Sequence, residues 1–171
     1  LYDEDTDPLF ERDIKGKLLH RPSKITMGID FGGNGSMTTF VLKLYFHGYH
    51  DLRTAEEANL ELSPDIDAEA ICSKFIEFFK CCQEKYGFID WVFPDSASTT
   101  MINSLRSAAR KAGLPYRNIK GCRKNEVSDR PRTYDILMNT GRWKINRNCT
   151  KLRSAIGKLK WHRDHPDRPE D

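Results

Sequence analysis

Apolar positions along the chain recur at two different spacings, and the changes of spacing divide it into elements. Ile25-Thr26-Met27-Gly28-Ile29-Asp30-Phe31 is a run of β-formers that reads as a buried strand. From Met37 to His47, Phe40, Leu42, Leu44 and Phe46 alternate, which puts them on one face of a long strand. Gly48 marks a hairpin into a third strand near 49–54. The period then lengthens. Ile71, Phe75, Phe78, Phe79 and Cys82 repeat as one face of a helix that Asp65 or Asp67 can cap and Gly87 can close.

Residues 88–93 read as a further strand. Ser96 or Ser98 can cap a helix carrying Met101, Leu105, Ala108 and Ala112 and ending at Gly113. A short strand is expected near 116–120. A helix is expected from Ser128 or Asp129, with Pro131 just inside, to about Asn139, with Gly141 after it. Residues 143–146 read as extended. A last helix from about Cys149 to Lys160 uses Leu152, Ala155, Ile156 and Leu159. Residues 1–24 are polar and irregular, as expected of a linker or N-terminal arm, and 25–171 form the domain. Three strands in succession imply an antiparallel start. The strand–helix alternation that follows implies an α/β mixed sheet with parallel additions and helices on both faces.

Composition adds limits. The chain has 171 residues, enough for one domain with a real core. It is 38% hydrophobic and 31% charged, with a net charge of +3, so overall charge does not mark a nucleic-acid binder. Acids crowd residues 1–13, while most Lys and Arg lie within 106–163, an asymmetry that permits a basic face. The five cysteines form no CxxC pair and no zinc spacing, and Cys81 adjoins Cys82. Reduced thiols are expected. No apolar run approaches the ~20 residues of a membrane span.

Two carboxylates carry the chemistry. Asp30 lies at the downstream end of the first strand, and Asp95 lies one residue past the run 88–94. If those strands are parallel neighbours, both acids reach one edge of the sheet. They repel there unless a hard cation such as Mg²⁺ or Mn²⁺ lies between them. Two such ions about 3.5–4 Å apart support in-line phosphoryl displacement. The plainer reading makes Asp30 a turn residue and Asp95 a helix cap. The turn Gly32-Gly33-Asn34-Gly35-Ser36 lacks the Lys-Ser/Thr of a P-loop. Lys120, Arg123 and Lys124, with Arg130 and Arg132 nearby, can grip a phosphate backbone or form a solvated loop. Trp143 and Trp161 read as packing residues. His20, His47, His50, His162 and His165 form no ligand set.

Several stretches together resemble the C-terminal nuclease domain of the large terminase subunit of tailed bacteriophages. They are Gly28-Ile29-Asp30-Phe31-Gly32, the strand Thr38–Tyr45, Val92-Phe93-Pro94-Asp95-Ser96-Ala97, Arg123-Lys124-Asn125, and Ile136 through Ile145. The helix running into Leu159-Lys160-Trp161 fits the same pattern. The resemblance covers about residues 25 to 165. It implies a ribonuclease H-like fold and an endonuclease that cuts concatemeric viral DNA at the start and end of packaging. It implies Mg²⁺ or Mn²⁺ held by Asp30 and Asp95. It also implies double-stranded DNA, an N-terminal packaging ATPase domain, the portal and the small terminase subunit as partners, in the cytoplasm of a bacterial host. The family's third acid sits in a pattern resembling His-x-x-Asp-Ala-x-Arg-Tyr, which this sequence lacks. Asp164, Asp167 and Asp171 are its only late aspartates. The expectation is a domain that stops before its final helix, with an incomplete site.

Gly28 to Gly33 also looks like the first phosphate motif of actin-like ATPases. Those need a duplicated body that this length does not provide. A junction resolvase of the same fold, and a DNA-gripping or portal-docking module with structural carboxylates, are the remaining alternatives.

Overall fold

The computed structural model describes residues 1–32, 37–61, 68–122 and 129–158, with 129–132 by backbone alone. Strands β1 (Lys24–Asp30), β2 (Thr38–Phe46) and β3 (Asp51–Leu60) form an antiparallel meander. Helix α1 (Ala68–Tyr86) returns the chain to β4 (Trp91–Pro94), which pairs parallel to β1. Helices α2 (Thr99–Lys111) and α3 (Asp129–Asn139), strand β5 (Trp143–Ile145) and helix α4 (Thr150–Lys158) follow. β5 pairs parallel to β3 on the opposite edge, giving the order β4-β1-β2-β3-β5.

Strict alternation on β2 sends Phe40, Leu42, Leu44 and Phe46 to one face, where all four are buried. Ile25, Met27 and Ile29 of β1 join them. α1 lays Ile71, Phe75, Phe78, Phe79, Cys82 and Tyr86 across this face. Truncating a fully buried aromatic such as Phe75 to Ala would cost about 3–5 kcal/mol. Gly87, at φ +106°, ends α1 in a conformation that L side chains avoid. A smaller cluster on the opposite face, Leu52, Trp143, Ile145 and Cys149, is covered by Leu137, Leu152 and Ile156. Helices therefore lie on both faces, and among the described residues α3 and α4 cover the second face toward β3 and β5.

Several elements differ from the sequence reading. β3 runs to Leu60 rather than stopping near residue 54. The stretch Ala55-Glu56-Glu57-Ala58 has weak strand propensity, yet β2 offers it a full ladder through Thr38↔Leu60. A bulge opposite Leu42 and Lys43 absorbs Ala55, which is fully buried. β4 is shorter than 88–93, although backbone bonds flank it from Asp90 N–H to Ile25 O and from Asp95 N–H to Ile29 O. The expected strand near 116–120 is a 3-10 turn, Tyr116–Asn118, followed by a single bridge from Ile119 to Val92. On α2 the buried residues are Ile102, Leu105 and Ala109, not Ala108 and Ala112, because the i, i+3 row through Ile102 and Leu105 is the one that packs on the core.

Residues 1–24, read as a linker or arm, contain little regular structure but are packed. Tyr2, Leu9 and Phe10 enter the main core. Arg53 Nε donates to Asp7 Oδ2 at 2.8 Å, with both side chains almost fully buried. The glycine turn at 33–36, the caps Asp65, Asp67 and Ser128, and the segment from Leu159 onward, with Trp161 and the late acids, lie outside the described residues.

Candidate active site

The parallel pairing of β1 with β4 sets the site. Thr26 pairs with Trp91, Gly28 with Phe93 and Ile29 with Pro94. One step further along the ladder puts Asp30 beside Asp95, and the bond from Asp95 N–H to Ile29 O (2.8 Å) holds that step. Period-2 alternation turns both carboxylates to the face opposite the main core. Asp30 is exposed and Asp95 half-buried.

Electrostatics mark the pair as strained. Desolvation at the strand end, and then the Asp95 charge, hold the Asp30 carboxyl above the usual carboxylate range. Among the described residues no hydrogen-bond donor or cation pairs with the Asp30 side chain. Asp95 Oδ1 accepts from Ala97 N–H at 3.1 Å, and the cap of α2 belongs to Ser98. This removes the reading of Asp95 as the helix cap. Just past β1, Thr38 Oγ1 accepts from Gly32 N–H at 3.1 Å.

Two neighbouring carboxylates, of which Asp30 is raised by desolvation and then by the charge of Asp95, suit a hard divalent cation, so the donor set fits Mg²⁺ or Mn²⁺. Among the described residues no third His, Cys, Asp or Glu joins them. The described pair by itself would hold such an ion weakly.

The basic residues are only partly placed. Lys120 lies over Trp91, four residues before Asp95, with its Nζ 3.9 Å from the centre of that ring and its backbone N–H bonded to Val92 O. Arg123 and Lys124 fall outside the described residues, and the side chains of Arg130 and Arg132 are not described. Arg106, not singled out from sequence, grips Ile119 O through Nε and Nη2 at 3.1 and 2.9 Å. It fixes the segment that carries Lys120. His47 and His50 are exposed and both meet Asp51, and Trp143 is buried with its indole N–H on Thr54 Oγ1. Phe93, on the same face as the acids, is a further residue that the sequence reading does not single out. Its signal is the alternation Trp91-Val92-Phe93-Pro94, which puts Trp91 and Phe93 opposite the core.

No model of a known protein family matches the chain, and no curated protein matches it. Solved structures do. The large terminase of a thermophilic bacteriophage superposes with a TM-score of 0.66 at 15% identity, covering 99% of this chain and 39% of that one. The large terminase nuclease domain of bacteriophage SPP1, with bound Mn, gives 0.63 at 18% identity, covering 88% and 79%. The P22 large terminase nuclease domain gives 0.64 at 11% identity, covering 97% and 84%. Likeness at these identities shows the fold, which is the ribonuclease H-like mixed sheet. This chain spans well under half the length of the thermophilic phage's terminase.

Proposed function

We propose that this chain is a metal-dependent DNA endonuclease domain of the large-terminase kind, cutting concatemeric viral DNA during genome packaging. The observation that carries this reading is the ladder that sets Asp30 beside Asp95 at neighbouring strand ends. The shared fold of three terminase structures, one with bound Mn, supports it.

In the reaction, water oxygen bonds to phosphorus while one phosphodiester P–O bond breaks and leaves as an alcohol. Divalent ions, when bound, would activate that water and neutralise the leaving oxygen. Asp30 and Asp95 would be the protein's share of their ligands. The Asp30 carboxyl is raised by desolvation and then by the Asp95 charge, and a bound cation would relieve both. Thr38 holds the Gly32 amide two residues past Asp30. Lys120 offers a charge to the DNA backbone. Double-stranded DNA is the substrate, and an ATPase domain, portal and small subunit are the partners, in the cytoplasm of the bacterial host.

The test is nicking and linearisation of supercoiled plasmid in Mn²⁺. Cutting by the wild-type chain that stops in Asp30→Asn supports the reading. Cutting that persists in Asp30→Asn refutes the assigned residues. No cutting under any divalent metal favours a DNA-gripping module, a reading that the two-ligand set among the described residues also fits.

A further inference from the structure

The sheet face that carries the acids is laid out in rows. Asp95, Asp30, Thr39 and Asn59 form the first row. Phe93, Gly28, Val41 and Glu57 form the second, and Trp91, Thr26, Lys43 and Thr54 the third. Successive rows lie two residues apart along each strand, about 7 Å. The second row holds a hollow. A Cβ built on Gly28 would meet nothing within 4 Å, and Phe93 beside it remains 38% exposed.

Behind Phe93, the Trp91 ring lies nearly parallel to it, with centroids 6.5 Å apart and an interplanar angle of 27°. The Lys120 ammonium sits over Trp91 at 3.9 Å, which leaves Phe93 as the open ring of the pair. Two further lysines share this face. Lys43 lies over Tyr134 and Trp143, and Lys24 over Tyr49. An open aromatic ring beside a hollow, flanked by cations, matches the way single-stranded nucleic acid is held. Rings take the bases and lysines the phosphates.

We infer that Phe93 and Gly28 form a seat for an unstacked base of the DNA strand whose phosphate lies at Asp30 and Asp95. The inference rests on the nuclease reading for what the acids do, but the seat is a binding feature and needs no metal. Gly28 keeps the floor low so that the base reaches the Phe93 ring. Trp91 supports that ring from behind, and Lys120 meets the phosphate on the far side.

The test uses a single-stranded oligodeoxynucleotide carrying 2-aminopurine, with EDTA present. Wild-type protein is expected to bind it and quench its fluorescence. Phe93→Ala should lose the quenching and bind about tenfold more weakly, while Phe93→Trp keeps both. Gly28→Val should fill the hollow and weaken binding with no loss of thermal midpoint, since a β-branched residue suits a strand. Quenching by Phe93→Ala equal to wild type would overturn the seat, as would wild-type binding without quenching or no binding at all. Intact quenching in a protein that never cuts in Mn²⁺ would keep the seat and remove the nuclease reading.

Discussion

Acids in two regions of this molecule are treated in opposite ways. In the N-terminal clasp, three carboxylates are matched to donors. Asp7 is buried against Arg53. Glu4 and Glu56 share the Lys85 ammonium at 3.1 and 2.6 Å and both accept from the Tyr86 hydroxyl, and Asn146 donates to Glu4. At the β1 and β4 ends, Asp30 and Asp95 sit side by side, and desolvation, then the charge of Asp95, raises the Asp30 carboxyl. The clasp uses charge to tie residues 1–10 to α1, β3 and β5. The strand-end pair is set by the ladder, and Asp95 also accepts from Ala97 N–H at the start of the turn into α2. This pair at a strand edge is the feature on which the proposed metal site rests.

The largest effect is expected on cleavage. Asp30→Ala and Asp95→Ala should each reduce Mn²⁺-dependent plasmid nicking below about one per cent of wild type, with circular dichroism unchanged. Next comes the clasp. Asp7→Ala leaves Arg53 buried without its counter-charge and should cost about 3–5 kcal/mol in urea denaturation. Replacing both, as Asp7→Leu with Arg53→Met, should recover most of that loss. If Asp7→Ala proves neutral, the clasp is not structural.

A smaller effect separates the two regions by sign. Losing a charge at the strand end should stabilise rather than destabilise. The Asp30 carboxyl is raised in the folded state, so its ionised form disfavours folding. That penalty is present above the folded pKa and disappears as pH falls through it toward the unfolded value. In metal-free buffer, Asp30→Asn should therefore melt higher than wild type at pH 7, with the gap closing in acid. A gap that stays constant with pH would mean that charge is not its cause. The smallest effect concerns Lys120. Lys120→Ala should weaken DNA binding modestly and reduce the slope of log affinity against log salt by about 1. An unchanged slope would take Lys120 out of the DNA contact.

One of these regions is legible in the sequence and the other is hidden. Asp30 and Asp95 stand out because each follows an apolar strand run, and a local pattern is enough to put two acids at strand ends. The clasp depends on pairs such as Asp7 with Arg53 and Glu4 with Tyr86, far apart in the chain, and no local period reports them. Residues 1–10 therefore read as an arm although Tyr2, Leu9 and Phe10 are core. The far half of β3 escapes for a related reason. Ala55 to Ala58 gain strand structure only from β2, and Glu57 finds its role in accepting from the Lys151 and Leu152 amides that open α4. The platform beside the acids depends on combining strand alternation with the parallel register, which only the fold supplies.

The most direct test of the central claim is a Mn²⁺ titration followed by thermal melting, comparing wild type with Asp30→Asn. A divalent ion that binds the folded pair raises the wild-type midpoint with concentration and leaves Asp30→Asn unmoved. The same rise in both proteins, or no rise in either, would contradict the assignment of Asp30 and Asp95 as a metal-holding pair.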